Sequence, residues 1–454
     1  MSDDRNAPSP KAGQASSATT KQGTSPDEGP MPLADAQPSE AEFRKKALLI
    51  GGVALVLQLV FAFGIARYFR ELNDKQIGDQ GYDIAVNLVD GKGYVHNWFG
   101  LDYVAWRPPV FPLLMAGLIS VFGKGWGAIK AVLALCGAGT SVMTAYLGRR
   151  MFNARIGLLA ALVTALNPSL IFSSGWPEPS CLIALLLVTG CVAMFRARDG
   201  GMKDAAAAGG LMGFTVLAKT FYLTWPVYAT IWLLLQKDVL RRKLQKAAVI
   251  WAVTLAVASP WMVRNYMVFH TPRIATTDTS LVFWAANAKS WLDTPVLEQK
   301  LPPKEFHERY EEFGHLSELE RDKWFLHDAM KTVSENKGAY VSRVLERIWL
   351  IWKPFPYVPK WGALPAAKFA FMLLTFGPIL GFFLASVWML RREWRKFALS
   401  YLLILGVTGS LALVHGVSRY RVPLEPLLIV QGAYAMGLVW ERYGKKKGAA
   451  EQAG

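Results

Sequence analysis

The chain has 454 residues, of which 52% are hydrophobic and 17 are Trp, with a formal net charge of +16; its mean hydropathy is +0.23. That apolar share exceeds what one water-soluble core absorbs, and uncharged runs near or beyond the ~18 residues that cross a bilayer recur along most of the chain. The composition predicts an all-α polytopic membrane protein, with no nucleic-acid partner, and excludes a secreted or single-pass one.

Residues 1–43 are rich in Ser, Pro, Gln, Ala and Gly and are expected to form a disordered cytoplasmic tail with no signal peptide. The first apolar run, about Ala47 to Ala66, follows Arg44-Lys45-Lys46, so the positive-inside rule directs it outward. The next long run, about Ala128 to Leu147, ends at Arg149-Arg150 and returns. Between them Val110 to Phe122, 13 residues, is too short to span and suits a helix at the interface. Alternation then gives about Ile156 to Phe172, Cys181 to Phe195, Ala205 to Thr220, Tyr222 to Leu235 and Ala247 to Met262. After a long outer segment come Ala366 to Leu390, Ala398 to His415 and Val422 to Trp440. Each inner turn is basic, with Arg196, Arg198 and Lys203 in one and Lys237 to Lys246 in another. About ten spans with both ends in the cytoplasm follow, closed by a basic tail over 441–454.

Two outer segments, 69–126 and 263–359, are too long to be simple turns. The second holds Ser317-Glu318-Leu319-Glu320, a capping-box pattern before a run of helical periodicity, and is expected to form water-facing helices over the membrane domain. Cys136, Cys181 and Cys191 all lie in apolar runs without metal-ligand spacing, so neither a disulfide nor a structural zinc is expected. No internal repeat of the kind that marks many transporters is visible.

On this topology the polar residues that are unusual in a membrane protein gather on the outer face: Asp79, Tyr82 and Asp83, Arg107, Glu178, Lys219, Arg264, and His415 with Arg419 and Arg421. Cations at that level suit the phosphate of a lipid carrier, and a carboxylate beside them suits a general base. The same positions also suit Arg and Lys that snorkel to headgroups, solvated loop carboxylates at 79 and 83, and helix capping by Glu178.

The order of motifs resolves more. Gly78-Asp79-Gln80-Gly81-Tyr82, Gly91-Lys92-Gly93-Tyr94 and Trp106-Arg107-Pro108-Pro109 are followed by Asn167-Pro168, Pro177-Glu178-Pro179, Leu217-Ala218-Lys219, Pro260 to Tyr266, Glu335 to Gly338 and Arg419 to Pro423. This set resembles the C-type (GT-C) glycosyltransferase superfamily, and more closely its branch of protein O-mannosyltransferases and enzymes that add aminoarabinose to lipid A. The likeness covers about Ala47 to Trp440.

The resemblance implies a GT-C-like bundle with juxtamembrane helices on its outer face. It implies a membrane glycosyltransferase that moves a sugar, with inversion, from a polyprenyl-phosphate carrier to an envelope lipid, glycan or protein on the outer side of the cytoplasmic membrane. Asp79 would be the catalytic base. Arg107, Lys219, Arg419 and Arg421 would hold the donor phosphate, and Tyr82, Glu178, Arg264 and His415 would line the cavity, with no cofactor and no metal required. Gln80 stands where relatives often carry a second acidic residue. The rival readings are a transporter or flippase of a lipid-linked sugar and an inactive assembly subunit.

Overall fold

The computed structural model describes Leu33, residues 37–66, 80–291, Val296, 302–353, 365–416 and 418–453. Its helices, in chain order, are α1 (Glu40–Leu59), α2 (Gly81–Val89), α3 (Val110–Phe122), α4 (Gly127–Met151), α5 (Ala154–Ala165), α6 (Pro168–Ser173), α7 (Ser180–Asp199), α8 (Met202–Ala218) and α9 (Trp225–Leu235). There follow α10 (Leu240–Phe269), α11 (Asp278–Ala286), α12 (Lys304–Glu308), α13 (Tyr310–Phe313), α14 (Glu318–Glu335), α15 (Lys337–Trp352), α16 (Pro365–Met389), α17 (Trp394–Val414) and α18 (Glu425–Ala453). All ten segments expected to span are helical. Among the described residues six stretches, Glu40–Ile65, Gly127–Met151, Ser180–Asp199, Leu240–Phe269, Arg391–Val414 and Ser418–Tyr443, have the length and apolarity to cross a membrane. The other four expected spans are carried by α5 with α6, by α8, by a 3-10 turn (Thr220–Thr224) with α9, and by α16.

The basic clusters meet at one end of the bundle. Arg149 pairs with Glu40 at 2.5 Å, Arg150 with Asp199 at 3.9 Å and Arg196 with Asp204 at 3.2 Å. Lys246 Nζ donates to the Arg198 carbonyl at 2.9 Å and Gln236 Nε2 to the Arg395 carbonyl at 3.0 Å. Phe152 stacks on both Phe397 and Tyr434 at the same level. Small residues set how closely the helices approach. A Cβ at Gly148 would lie 2.7 Å from the Gly157 Cα where α4 crosses α5, and one at Gly209 would lie 2.6 Å from the Ile250 carbonyl where α8 meets α10. Without a hydrophobic drive in lipid, such backbone contact is what holds helices together, and Thr254 adds a 3.0 Å hydrogen bond to the Gly209 carbonyl.

The two long connections share one core at the other end. Ile84, Trp106, Trp284, Phe306, Phe313 and Phe325 pack in a single buried cluster drawn from both. Glu318, in the first turn of α14, accepts from the backbone N–H groups of Val104 at 2.7 Å and Ala105 at 3.1 Å and from the Thr277 hydroxyl, which stitches the first connection to the second. The expected capping box is present, with Ser317 and Glu320 reciprocally bonded.

Three features depart from the sequence expectation. An antiparallel hairpin, β1 (His96–Trp98) with β2 (Leu101–Tyr103), lies in the first connection. Its two-residue turn places Phe99 at φ 49° and Gly100 at φ 84°, the double left-handed geometry that suits strand twist. Strands of three residues carry too little alternation to stand out from sequence. In α15, Arg343 and Arg347 are buried while Val341, Leu345 and Trp349 are exposed, the reverse of a water-facing helix. The expected amino-terminal tail ends earlier than residue 43, because the Ser39–Glu42 capping box starts α1 at Glu40. Helix α18 continues into the basic segment and ends at Ala453, which leaves the expectation of a basic tail there as it stood.

Candidate functional site

The site grows around Arg107, which lies between the hairpin and the Pro108-Pro109 pair that opens α3. Its Nη2 donates to the Gln80 side-chain oxygen and its Nη1 to the Asp278 carboxylate. Gln80 also accepts from the Trp106 indole at 3.0 Å, and the Tyr94 hydroxyl donates to the Arg107 carbonyl at 2.8 Å. The guanidinium is thereby fixed from both sides. Asp79 lies outside the described residues, directly before Gln80. Asp278 begins α11 and accepts the Thr276 hydroxyl on its second oxygen; Thr276, only 2% exposed, lies 3.4 Å from the Thr220 hydroxyl. Lys219 precedes Thr220, so the network ties the Arg107 side of the site to a second group of cations.

That group surrounds Tyr420. Lys219 Nζ sits 5.6 Å from the Tyr420 ring centre and the Arg419 guanidinium 5.1 Å from it, with Arg419 Nη2 3.4 Å from the hydroxyl. Arg107 is within electrostatic reach of the same hydroxyl. His415 packs edge-on to the Tyr420 ring at 6.4 Å. Burial, with Arg419, Arg347 and Lys219 adding to it, pushes the His415 imidazole down to about 3, so it is neutral near pH 7. Arg107, Lys219, Arg419 and His415 are therefore brought together.

Arg421 is not. Its side chain is 2% exposed and pairs with the fully buried Glu425 at 2.7 Å, while Nη1 donates to the Ile351 and Lys353 carbonyls at 3.0 and 2.7 Å. Glu425 also accepts from Asn167 at 2.7 Å and Ser169 at 3.1 Å, so Arg421 belongs to a buried network that joins the break before α6 to α18. The i,i+4 spacing of Arg421 and Glu425 was the available signal for this role. Arg264 bonds Asn265 at 2.9 Å and lies over the rings of Trp261 and Tyr94. Tyr82 donates to the Lys124 carbonyl at 2.7 Å and closes the connection between α3 and α4. Glu178 accepts from Ser180 at 2.9 Å before the first turn of α7. Asp83 is 3.7 Å from His96 Nδ1.

Asp278, Thr276 and Glu318 are site-supporting residues that sequence reading misses, because each acts on a partner far away in the chain; Asp278 and Arg107 are 171 positions apart. Among the described residues no group of three or more His, Cys, Asp or Glu is placed to hold a metal ion.

Residues 106–263 match the family model described as dolichyl-phosphate-mannose-protein mannosyltransferase. No curated protein sequence matches the chain. The archaeal oligosaccharyltransferase AglB from Archaeoglobus fulgidus, in complex with an inhibitory peptide and a dolichol-phosphate, superposes over 91% of this chain and 52% of its own at 14% identity and a TM-score of 0.55. The same organism's oligosaccharyltransferase tethered to an acceptor peptide superposes over 89% and 50% at 16% identity and a TM-score of 0.55. ArnT from Cupriavidus metallidurans bound to undecaprenyl phosphate aligns over 87% and 78% at 16% identity and a TM-score of 0.39. The chain spans about half the length of the oligosaccharyltransferase structures it matches. The chain thus shares the fold of the Archaeoglobus fulgidus oligosaccharyltransferase structures over nearly its whole length, and the stretch that matches the mannosyltransferase family model lies within that fold.

Proposed function

We propose that the protein is a membrane glycosyltransferase that moves a sugar from a polyprenyl-phosphate carrier to an acceptor hydroxyl in the cell envelope. The observation that carries this reading is the convergence of Arg107, Lys219 and Arg419 at one end of the bundle, with Gln80, the residue that follows Asp79 in the chain, bonded to Arg107. Three cations at the level of a bilayer surface suit one lipid phosphate, and the neutral His415 packs against their Tyr420 without adding charge. The basic clusters at the opposite end support cytoplasmic termini and a site on the outer side of the cytoplasmic membrane.

In the reaction, Asp79 takes the acceptor's hydroxyl proton as the acceptor oxygen bonds to the anomeric carbon. The bond from that carbon to the phosphate oxygen breaks, its electron pair leaves with the phosphate, and the sugar inverts. Fixed cations stabilise the charge that gathers on the leaving oxygen, because they are oriented before it develops. Arg107, anchored on both sides, meets that requirement; Arg421 acts through the fold. Glu178, Tyr82 and Arg264 are assigned to the wider cavity by the resemblance, and the second connection, with its aromatic core, is the surface for an acceptor lipid, glycan or protein.

The test is reconstitution of the purified full chain in liposomes with radiolabelled polyprenyl-phosphate sugars and a cell-envelope extract, together with mass spectrometry of envelope lipids, glycans and proteins with and without the gene. Transfer of label, with free polyprenyl phosphate as the second product, is expected. Movement of the intact lipid-linked sugar across the bilayer without transfer would replace this reading with that of a flippase.

A further inference from the structure

Among the described residues, Arg107 meets acceptors of different charge. Nη2 meets the neutral amide oxygen of Gln80 and Nη1 meets the carboxylate of Asp278. The Arg107 and Asp278 side chains are 15% and 14% exposed, so this is a sheltered pair rather than a surface contact. Asp278 is held on its other oxygen by the buried Thr276, which leans on Thr220 beside Lys219. A carboxylate is therefore fixed against the cation to which the proposed function gives the lipid phosphate.

The charges of donor and product explain what such a carboxylate would do. A polyprenyl-phosphate sugar is a phosphodiester with one negative charge. The carrier left after transfer is a monoester with a second ionisation near pH 6, so it approaches two charges at neutral pH. A cluster of Arg107, Lys219 and Arg419 holds the more highly charged product harder, and release of product is a step at which many enzymes are slow. An anion seated on the same guanidinium repels the dianion more than the monoanion, so it narrows that difference.

We propose that Asp278 is an internal anion that competes with lipid phosphate for Arg107, weakening the hold on the spent carrier more than the hold on the sugar-linked donor. This rests on the reading that Arg107 binds the carrier phosphate. Geometry also defines the swap: Gln80 and Asp278 sit on the two terminal nitrogens of one guanidinium, so a carboxylate at either position opposes the phosphate, and two oppose it twice.

The experiment measures equilibrium binding of undecaprenyl phosphate, and of its methyl ester as a singly charged diester, to the purified full chain in lipid nanodiscs. Asp278→Asn keeps an oxygen that accepts from Arg107, sets an amide NH2 that can donate to the Thr276 hydroxyl, and removes the charge. It is expected to tighten monoester binding about three- to tenfold and diester binding by less, as removal of one nearby like charge does. Gln80→Glu is expected to weaken the monoester by a similar factor, and the double variant Gln80→Glu/Asp278→Asn to return to the parent affinity. Asp322→Asn, which removes the charge from the 2.9 Å Arg273–Asp322 pair of the same connection, controls for general loosening and should leave both affinities unchanged. Weaker or unchanged monoester binding in Asp278→Asn overturns the proposal, as does a double variant that stays at either single-variant value. Arg107→Ala separates the two readings. If it leaves binding unchanged, the phosphate reading of the site fails first; if it weakens binding while Asp278→Asn does not tighten it, the competing-anion proposal alone fails.

Discussion

Gly416 rests on the backbone of Arg347: a Cβ added at 416 would lie 2.7 Å from the Arg347 Cβ and 2.9 Å from its carbonyl oxygen. The contact seats α15 against the end of α17, beside His415 and Tyr420. Arg347, fully buried, completes the seat by donating to the Ala286 carbonyl at 2.6 Å, the Asn287 side chain at 3.0 Å and the Ala412 and Leu413 carbonyls at 3.3 and 3.4 Å. Its positive charge thus meets the carbonyl ends of two helices instead of a carboxylate, where a helix dipole favours a cation. Gly416→Ala is expected to lower stability by about 1–3 kcal/mol through overpacking against backbone that cannot move aside. Thermal unfolding followed by tryptophan fluorescence in detergent checks this; a melting point equal to the parent's would show that the joint relaxes freely.

Arg419 and Arg421, two positions apart, should behave oppositely. Arg421→Met leaves Glu425 buried without its cation and strands the Ile351 and Lys353 carbonyls, and is expected to destabilise the protein by about 3–5 kcal/mol, seen as poor yield and early unfolding. Arg419 is exposed and lies against Tyr420. Arg419→Ala should fold normally and lose affinity for undecaprenyl phosphate roughly tenfold or more, the scale of one charged hydrogen bond. A folded Arg421→Met protein with selectively weakened phosphate binding would return Arg421 to the donor site.

This contrast marks how far the sequence reaches. The clustering of Arg149, Arg198, Lys246 and Arg395 at one end was legible, because charge between apolar runs reports orientation whatever the tertiary contacts. The capping box at Ser317 was legible because it is local. Arg107 was legible only through its motif, and its partners were not: Gln80 and Asp278 come from separate connections that meet through the shared core of Trp106, Trp284 and Phe325. The difference between Arg419 and Arg421 turns on which side of one 3-10 turn each faces. Periodicity over seven residues is too short to reveal that, whereas Glu425 one helical turn beyond Arg421 could have done so.

His415 gives a pH dependence with a definite sign. Its imidazole is lowered from an ordinary value of 6.5 to about 3 by burial and by Arg419, Arg347 and Lys219, so the folded protein holds it neutral where the unfolded chain would protonate it. The unfolded state then binds more protons between those values. The stabilisation linked to a neutral His415 is present in full above pH 6.5 and is lost progressively as the pH falls toward 3. The melting temperature should drop between pH 7.5 and pH 5, a window in which carboxylates with ordinary values remain ionised. His415→Gln, which cannot be protonated, should show a smaller drop. An identical drop in parent and variant would assign the acid sensitivity to other groups.

The final prediction concerns the proton that must leave the acceptor. If Asp79 is the general base, Asp79→Asn keeps the side chain's shape and removes the proton acceptor. Undecaprenyl phosphate should still bind, while transfer falls by the ~10² to 10⁴-fold that loss of an acid–base group produces. Asp83 is the neighbouring control on the same segment. Its carboxylate is 3.7 Å from His96 and its side chain is 64% exposed, so Asp83→Asn removes a weak, solvent-screened contact and should slow transfer far less. Measuring binding and initial transfer rate on the same preparations separates chemistry from carrier capture, since a residue that only orders the first connection would disturb both. Near-normal transfer by Asp79→Asn, or a severe loss confined to Asp83→Asn, would move the base to another position. The proposed phosphate site around Arg107 would then need a different carboxylate, and Glu178, partly exposed and accepting from Ser180, is the next position to test.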